Sequence, residues 1–170
     1  MHRLFLAILM LAAATATAQQ LDLKSLDKLA DKAKNKTQID MDEATLKATG
    51  GLLKDKKGDE GLAKKTTENM KGLFLRSYEF DRDKKDAYKL DDLKPILDQL
   101  KAPNWVPFLR NKEKDELTEI WMHKTNNEVD GMILVSAESN EITVINVIGL
   151  TRPEDFSSLM NLSNLPIPKE

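Results

Sequence analysis

The chain of 170 residues contains no cysteine, and this absence excludes several kinds of chemistry at once. Without thiols there is no disulfide, no thiol nucleophile, no iron–sulfur cluster and no cysteine-ligated zinc site. Only two histidines are present, so a metal site built from histidine and cysteine clusters is excluded by count. We therefore expect no cofactor, and the sequence assigns no catalytic, cofactor-binding or metal-ligating residue.

The charges show no bias towards one sign, with 26 basic residues against 28 acidic ones. Nucleic-acid binding needs a basic face, so this balance predicts that nucleic acid is not a partner. Aromatic residues make up only 5% of the chain and leave few rings for stacking a sugar or a base. Carboxylates are plentiful, and counting them leaves open a paired-acid site like that of a glycosidase.

The first twenty residues have the pattern of a secretory signal peptide. A short positive start precedes the segment Leu4 to Ala14, which carries no charge and is shorter than the roughly 20 residues of a membrane-spanning helix. Small residues then fit an Ala-x-Ala cleavage site at Ala18 and Gln19. We expect residues 1–18 to be removed and the rest to be exported to the periplasm or the extracellular medium, without a stable membrane span. An uncleaved anchor or a buried N-terminal helix is the alternative.

The first half of the expected mature chain combines helices with two strands. The pattern predicts helices over residues 22–34, from Asp42 onward, over residues 61–70 and around Leu93, with strands at Thr37–Met41 and Gly72–Phe80.

The helix around Leu93 is the clearest of these elements. Four apolar residues at helical spacing form one face, namely Leu93, Ile96, Leu97 and Leu100. Asp91 and Asp92 suit its N-cap, and Pro95 falls in the first turn, where the missing N–H costs little.

The second half is rich in β-branched residues separated by short polar turns. Four strands are predicted, at Trp105–Leu109, Glu116–Lys124, Val129–Ala137 and Glu141–Leu150. The last two are apolar on both faces and should be central and covered. Their core positions are Ile133, Val135, Ile142, Val144, Ile145, Val147 and Ile148. A capping box at Thr151 begins a final helix.

These patterns predict the α+β class: a largely antiparallel sheet with a C-terminal four-strand meander, and helices packed on it. The chain shows no internal repeat and no domain boundary, so residues 19–170 are expected to form a single domain.

The segments Val129–Ser136, Glu141–Gly149 and Leu150–Leu159 resemble a family of small exported bacterial proteins known as a domain of unknown function. The resemblance spans nearly the whole mature chain and implies bacterial export and one domain, but no activity, cofactor or partner. Many members of that family are lipid-anchored, and this chain departs from them because it lacks the cysteine.

Two polar features have competing interpretations. His123 is either a general base or a residue at the rim of the sheet; we favour the rim, so His123→Ala should change stability little. The segment Asn126 to Gly131 has oxygen-bearing side chains at its first, third and fifth positions and glycine at its sixth, as at the start of an EF-hand calcium loop. A strand rather than a helix is predicted to follow it. A hairpin turn is the favoured interpretation.

No enzyme class stands out from these observations. The leading hypothesis is an exported, non-enzymatic interaction or ligand-binding domain at the bacterial cell envelope, with an envelope protein or a small ligand as its partner. The alternative is a carboxylate-based hydrolase acting on envelope polymers. An exposed edge strand or apolar groove would favour binding, whereas acids gathered in one deep pocket would favour hydrolysis.

Overall fold

The structure, a computed structural model, describes residues 20–52, 70–83 and 87–149. The predicted cleavage site at Ala18 and Gln19, nearly all of the helix expected over residues 61–70 and the final helix from Thr151 lie outside these ranges. No helix in the described part of the chain is long and apolar enough to cross a membrane.

Six antiparallel strands form one sheet within the described ranges. Their bounds are β1 (Asn35–Asp42), β2 (Gly72–Glu79), β3 (Trp105–Lys112), β4 (Leu117–Thr125), β5 (Glu128–Ala137) and β6 (Glu141–Ile148). Their order in the sheet is β1-β2-β6-β5-β4-β3. The last four strands form the predicted meander, and β2 and then β1 extend the sheet beyond β6. The α+β class is confirmed, as are the central positions of β5 and β6, while β1 lies at one edge of the described sheet.

The sheet buries apolar side chains on both faces, because successive residues of a strand point to opposite sides. On face A, Ile133, Val135 and Val144 are buried beneath the segments around residues 21–33 and 87–100. On face B, Leu134, Ile145 and Val147 belong to a second buried cluster that includes Leu46. The seven core positions predicted for the two central strands are all buried.

The segment predicted as a helix over residues 22–34 is instead a short 3₁₀ helix, Lys24–Leu29, followed by a turn. Leu23, Leu26 and Leu29 recur every three residues, and all three are buried on face A. A 3₁₀ helix has three residues per turn, so it aligns this spacing on one side better than an α-helix does. The Leu26 N–H donates to the Leu23 carbonyl at 3.0 Å, as this geometry requires.

Two α-helices are described, α1 (Glu43–Leu52) and α2 (Lys94–Gln99). The predicted start at Asp42 is confirmed for α1, since the Thr45 N–H donates to the Asp42 carboxylate at 2.8 Å. That hydrogen bond, which favours the ionised form, lowers the pKa of Asp42. A second 3₁₀ helix, Leu90–Leu93, directly precedes α2. Pro95 lies in the first turn of α2, as expected.

The four residues predicted to cover the sheet from this region all contact the face A core. Leu93, Ile96 and Leu100 are buried, and Leu97 is half-buried against the same cluster. The cap differs from the prediction, because Lys89 rather than Asp91 or Asp92 occupies the N-cap position. Asp92 acts from the third helical position, where its carboxylate accepts the Lys89 N–H at 2.9 Å.

Asp92 also joins the two 3₁₀ helices through an ion pair with Lys28 at 2.7 Å. Burial alone would raise the pKa of Asp92, but the hydrogen bonds from Lys28 and the Lys89 N–H outweigh it and lower that pKa. A carboxyl group with a lowered folded-state pKa stabilises the protein above its unfolded pKa of about 3.9, and this contribution is lost as pH falls through the folded value.

We therefore expect Asp92→Asn to lower the free energy of unfolding at pH 7 by about 1 kcal/mol. The difference from wild type should shrink as the pH falls below about 3.9, and it should vanish only once the folded wild-type carboxylate, whose pKa is lowered, is also protonated. Urea unfolding of both proteins at pH 7 and pH 3 measures it. An equal difference at the two pH values would show that the charge of Asp92 is not what stabilises this contact.

The turn between β4 and β5 settles the competing interpretations of Asn126 to Gly131. Thr125 pairs with Glu128, leaving Asn126 and Asn127 as a two-residue loop with φ values of 53° and 68°. Positive φ at both positions is the geometry of a type I′ hairpin turn, which asparagine tolerates well. The hairpin-turn interpretation is confirmed, and Asp130 lies on β5 with its carboxylate directed to His123.

Candidate interaction surface

Strand β3 begins in the core and ends in solvent. Trp105 is buried and meets the His123 ring edge-on, with ring centroids 5.0 Å apart. From Pro107 to Lys112 every residue is exposed. The strand is therefore fixed at its start by a large buried ring and presents the rest of its length at the margin of the sheet.

The backbone of β3 is irregular where it becomes exposed. Pro107 lies opposite Trp121 while Leu109 lies opposite Ile120, so Phe108 is the additional residue of a β-bulge. The Lys124 N–H donates to the Asn104 carbonyl at 2.9 Å. Because backbone groups alternate in direction along a strand, Pro107 faces away from β4, towards the side of β3 where the described sheet ends. Proline is tolerated there because it has no N–H to donate.

Phe108 and Leu109 are the two large hydrophobic residues that the described part of the chain exposes. The two residues are 55% and 43% exposed, respectively. They are adjacent, and both lie at or beside the bulge, where the backbone is displaced from the regular ladder. We call these two residues the β3 patch.

Beside the β3 patch, an ordered polar group supports the strand. The Glu119 carboxylate is buried on β4, where it accepts the Trp121 indole N–H at 2.8 Å and pairs with Arg110 Nε at 3.2 Å. The Arg110 guanidinium also lies over the Trp121 ring, 5.4 Å from its centroid. Both oxygens of Glu119 are thus engaged, which identifies this buried acid as a structural residue that fixes Arg110 next to the patch.

His123 is not the rim residue that the sequence suggested. It is only 2% exposed, and its Nδ1 lies 2.6 Å from an Asp130 carboxylate oxygen. Directly opposite on β5 is Gly131, where an added Cβ would come within 3.1 Å of the Val147 carbonyl oxygen. The ring packs between Trp105 and this glycine, so it belongs to the core beneath the start of β3. The rim interpretation is therefore wrong, and the expectation that His123→Ala changes stability little loses its basis.

Glu119, Trp121 and His123 lie on one face of β4, where their side chains contact residues of β3. These three β4 residues hold β3 through Arg110 and Trp105. No group of three or more histidine, aspartate or glutamate residues in the described ranges is arranged to hold a metal ion. The predicted cleavage residues Ala18 and Gln19 lie outside those ranges.

The exposure of the β3 patch was not predicted from the sequence. The segment Trp105–Leu109 was predicted only as the first strand of the meander. Pro107 was the available signal, because proline within a strand-like run indicates an edge strand. Phe108 and Leu109, which follow that proline directly, are the residues for which exposure should then have been expected.

Comparison with known proteins agrees with the resemblance noted from the strand segments. A family model described as "Domain of unknown function (DUF4252)" matches residues 28–159. The match covers all six strands and both α-helices. No curated protein matches the sequence.

Proposed function

The chain belongs to the DUF4252 family, and we propose that it is a non-enzymatic binding module of the bacterial cell envelope that holds a partner protein against the β3 patch. The observation that carries the proposal is the exposure of Phe108 and Leu109 side by side on an edge strand. Leaving apolar area in water costs roughly 25 cal/mol per Å², and a partner that covers both side chains recovers that free energy.

The surroundings of the β3 patch suit a protein partner. Aromatic residues and arginine are enriched in protein interfaces, and truncating a central one typically costs binding about 2 kcal/mol or more. Phe108 is such an aromatic anchor, and Arg110 is held beside it by Glu119 and Trp121. Because Arg110 is already held by these contacts, its side chain loses little conformational entropy when a partner binds.

The mode of binding follows from the irregular backbone. Adding a partner strand along β3 would need a continuous row of outward N–H and C=O groups. Pro107 removes one N–H from that row, and the bulge at Phe108 displaces its neighbours. We therefore propose that Phe108 and Leu109 insert as side chains into an apolar pocket of the partner.

Location at the envelope rests on the sequence of residues 1–18. Their short positive start, uncharged apolar segment and small residues before Gln19 are typical of a secretory signal peptide. The absence of cysteine implies that the exported domain depends on its core for stability in an oxidising compartment. In this proposal the partner is another envelope protein.

We expect Phe108→Asp to weaken capture of the partner by roughly thirty-fold or more, corresponding to about 2 kcal/mol. Tagged wild-type protein and variant are used as bait in envelope extract, and bound proteins are quantified by mass spectrometry. Thr125→Asp is the matched control, since it adds the same charge at an exposed strand residue outside the patch. Both variants should melt near the wild-type temperature.

The proposal fails if Phe108→Asp captures the same proteins in the same amounts as wild type. It also fails if Thr125→Asp loses them equally, because the loss would then follow added charge rather than the patch.

A further inference from the structure

We infer that two copies of this chain associate through β1, pairing antiparallel about a twofold axis at Gln38 so that the two sheets become one. The inference concerns the opposite margin of the sheet from the β3 patch and does not depend on the proposed function. It rests on the regularity of β1, on the direction of its backbone groups and on the arrangement of its charges.

Of the two edge strands of the described sheet, β3 has features that prevent pairing with a further strand and β1 does not. β3 contains Pro107 and a bulge, which are features that block an edge. β1 contains neither, and all eight of its residues pair in one unbroken register with β2, from Asn35 opposite Glu79 to Asp42 opposite Gly72. A regular, extended edge of this length is a ready template for another strand.

Hydrogen bonds along the sheet show which β1 residues direct their backbone groups outward. The Phe80 N–H donates to the Asn140 carbonyl, so the backbone groups of Phe80 point towards β6. The Glu79 carbonyl accepts the Lys34 N–H, so the backbone groups of Glu79 point towards β1. By alternation, Asn35 and every second residue after it bond to β2. The intervening residues therefore point their N–H and C=O groups away from the sheet. They are Lys36, Gln38, Asp40 and Asp42, and all four are exposed.

The charges along this edge complement a second copy in the antiparallel orientation. Lys34 and Lys36 lie at the beginning of the edge, and Asp40 and Asp42 lie at its end. Antiparallel pairing about Gln38 places Lys36 opposite Asp40 of the second copy, twice by symmetry. Opposite charges placed across two strands stabilise pairing, whereas a parallel arrangement would bring like charges together. A twofold interface of this kind is self-complementary and closed.

The acidic end of the edge is already ordered. Both Asp40 carboxylate oxygens accept hydrogen bonds from the buried Arg76 guanidinium, each at 2.9 Å. Arg76 Nε also bonds Asp27 of the first 3₁₀ helix at 3.1 Å. Asp40 is therefore held at the edge with more than half of its side chain exposed, and it is available to a lysine of the second copy.

The absence of cysteine makes a direct test possible, because a single introduced cysteine has no competing thiol. In the proposed dimer, Gln38 is the residue that meets its own counterpart across the axis. Gln38→Cys should form a disulfide-linked dimer under mild oxidation, whereas Phe108→Cys, which is also exposed but lies on the other margin, should remain monomeric at the same concentration. Non-reducing electrophoresis measures the linked fraction, and circular dichroism confirms that both variants are folded.

Charge reversal provides the second arm. Adding Lys36→Glu to Gln38→Cys should slow linking at least ten-fold, while adding Lys112→Glu on β3 should leave the rate unchanged. Sedimentation of the wild-type protein should show a concentration-dependent dimer, which keeps the test independent of the cysteine variants. Equal linking at positions 38 and 108, linking at 108 alone, or a wild-type protein that sediments as a monomer at every concentration would overturn the inference.

Discussion

Replacing Val147 with aspartate should unfold the protein. Val147 is fully buried in β6, paired with Leu73 of β2 on one side and Met132 of β5 on the other. A carboxylate there would be buried among the apolar side chains of face B, including Leu134 and Ile145. Its desolvation costs several kcal/mol, while a domain of this size has only about 5–15 kcal/mol of stability and no disulfide supports this one.

Circular dichroism and thermal melting measure this outcome. The expected result is loss of the cooperative transition at room temperature and above, with Thr125→Asp as the control that places the same side chain at an exposed strand residue. A Val147→Asp protein that melts like wild type would show that β6 is not central and that the described core is wrong.

Replacing His123 with alanine should lower the free energy of unfolding by about 2–4 kcal/mol. The substitution removes the edge-on contact with Trp105 and the hydrogen bond to Asp130, and it leaves a cavity in face A. Gly131 opposite has no side chain to fill that cavity. Because Trp105 anchors the start of β3, we also expect faster amide exchange along that strand.

His123→Phe is the matched variant, since it retains a ring against Trp105 but loses the hydrogen bond to Asp130. It should recover part of the lost stability. Urea unfolding of the three proteins gives the comparison. If His123→Ala unfolds at the wild-type midpoint, the histidine is not a core residue and the earlier rim interpretation would stand.

The strands could be predicted because their signals are local. β5 and β6 are continuous runs of β-branched and other apolar residues, bounded by polar turns, and such runs are stable only in the middle of a covered sheet. The two-residue loop at Asn126 and Asn127 fixes the register of its hairpin in the same local way. The pairing of β2 with β6 joins segments that are distant in the chain, and it has no local signal of this kind.

Burial of individual polar residues could not be predicted, because it depends on contacts distant in sequence. His123 and Glu119 look like ordinary polar residues on a half-exposed strand until Asp130, Trp105 and Arg110 are brought to them. Asn146 is a further case: it lies unexposed in the middle of β6, where its side chain accepts the Leu21 N–H and donates to the Met132 carbonyl.

The type of the first helix was mispredicted for a related reason. Leucines at a three-residue spacing alternate with charged residues in a way that fits either an amphipathic α-helix or a 3₁₀ helix. What decides between them is the anchoring of the segment, through Asp27 to Arg76 of β2 and through Lys28 to Asp92 of the second 3₁₀ helix. Neither contact has a signature in the segment itself.

The most direct test of binding through the β3 patch is site-specific photocrosslinking in the living cell. A benzophenone amino acid replaces Phe108 in one strain and Thr125 in another, and the cells are irradiated before lysis. We expect one discrete envelope protein to be linked at position 108, to be absent at position 125 and to be lost when Leu109→Asp is added. Identical adducts at both positions, or none at position 108 while the protein is folded and exported, would contradict this expectation.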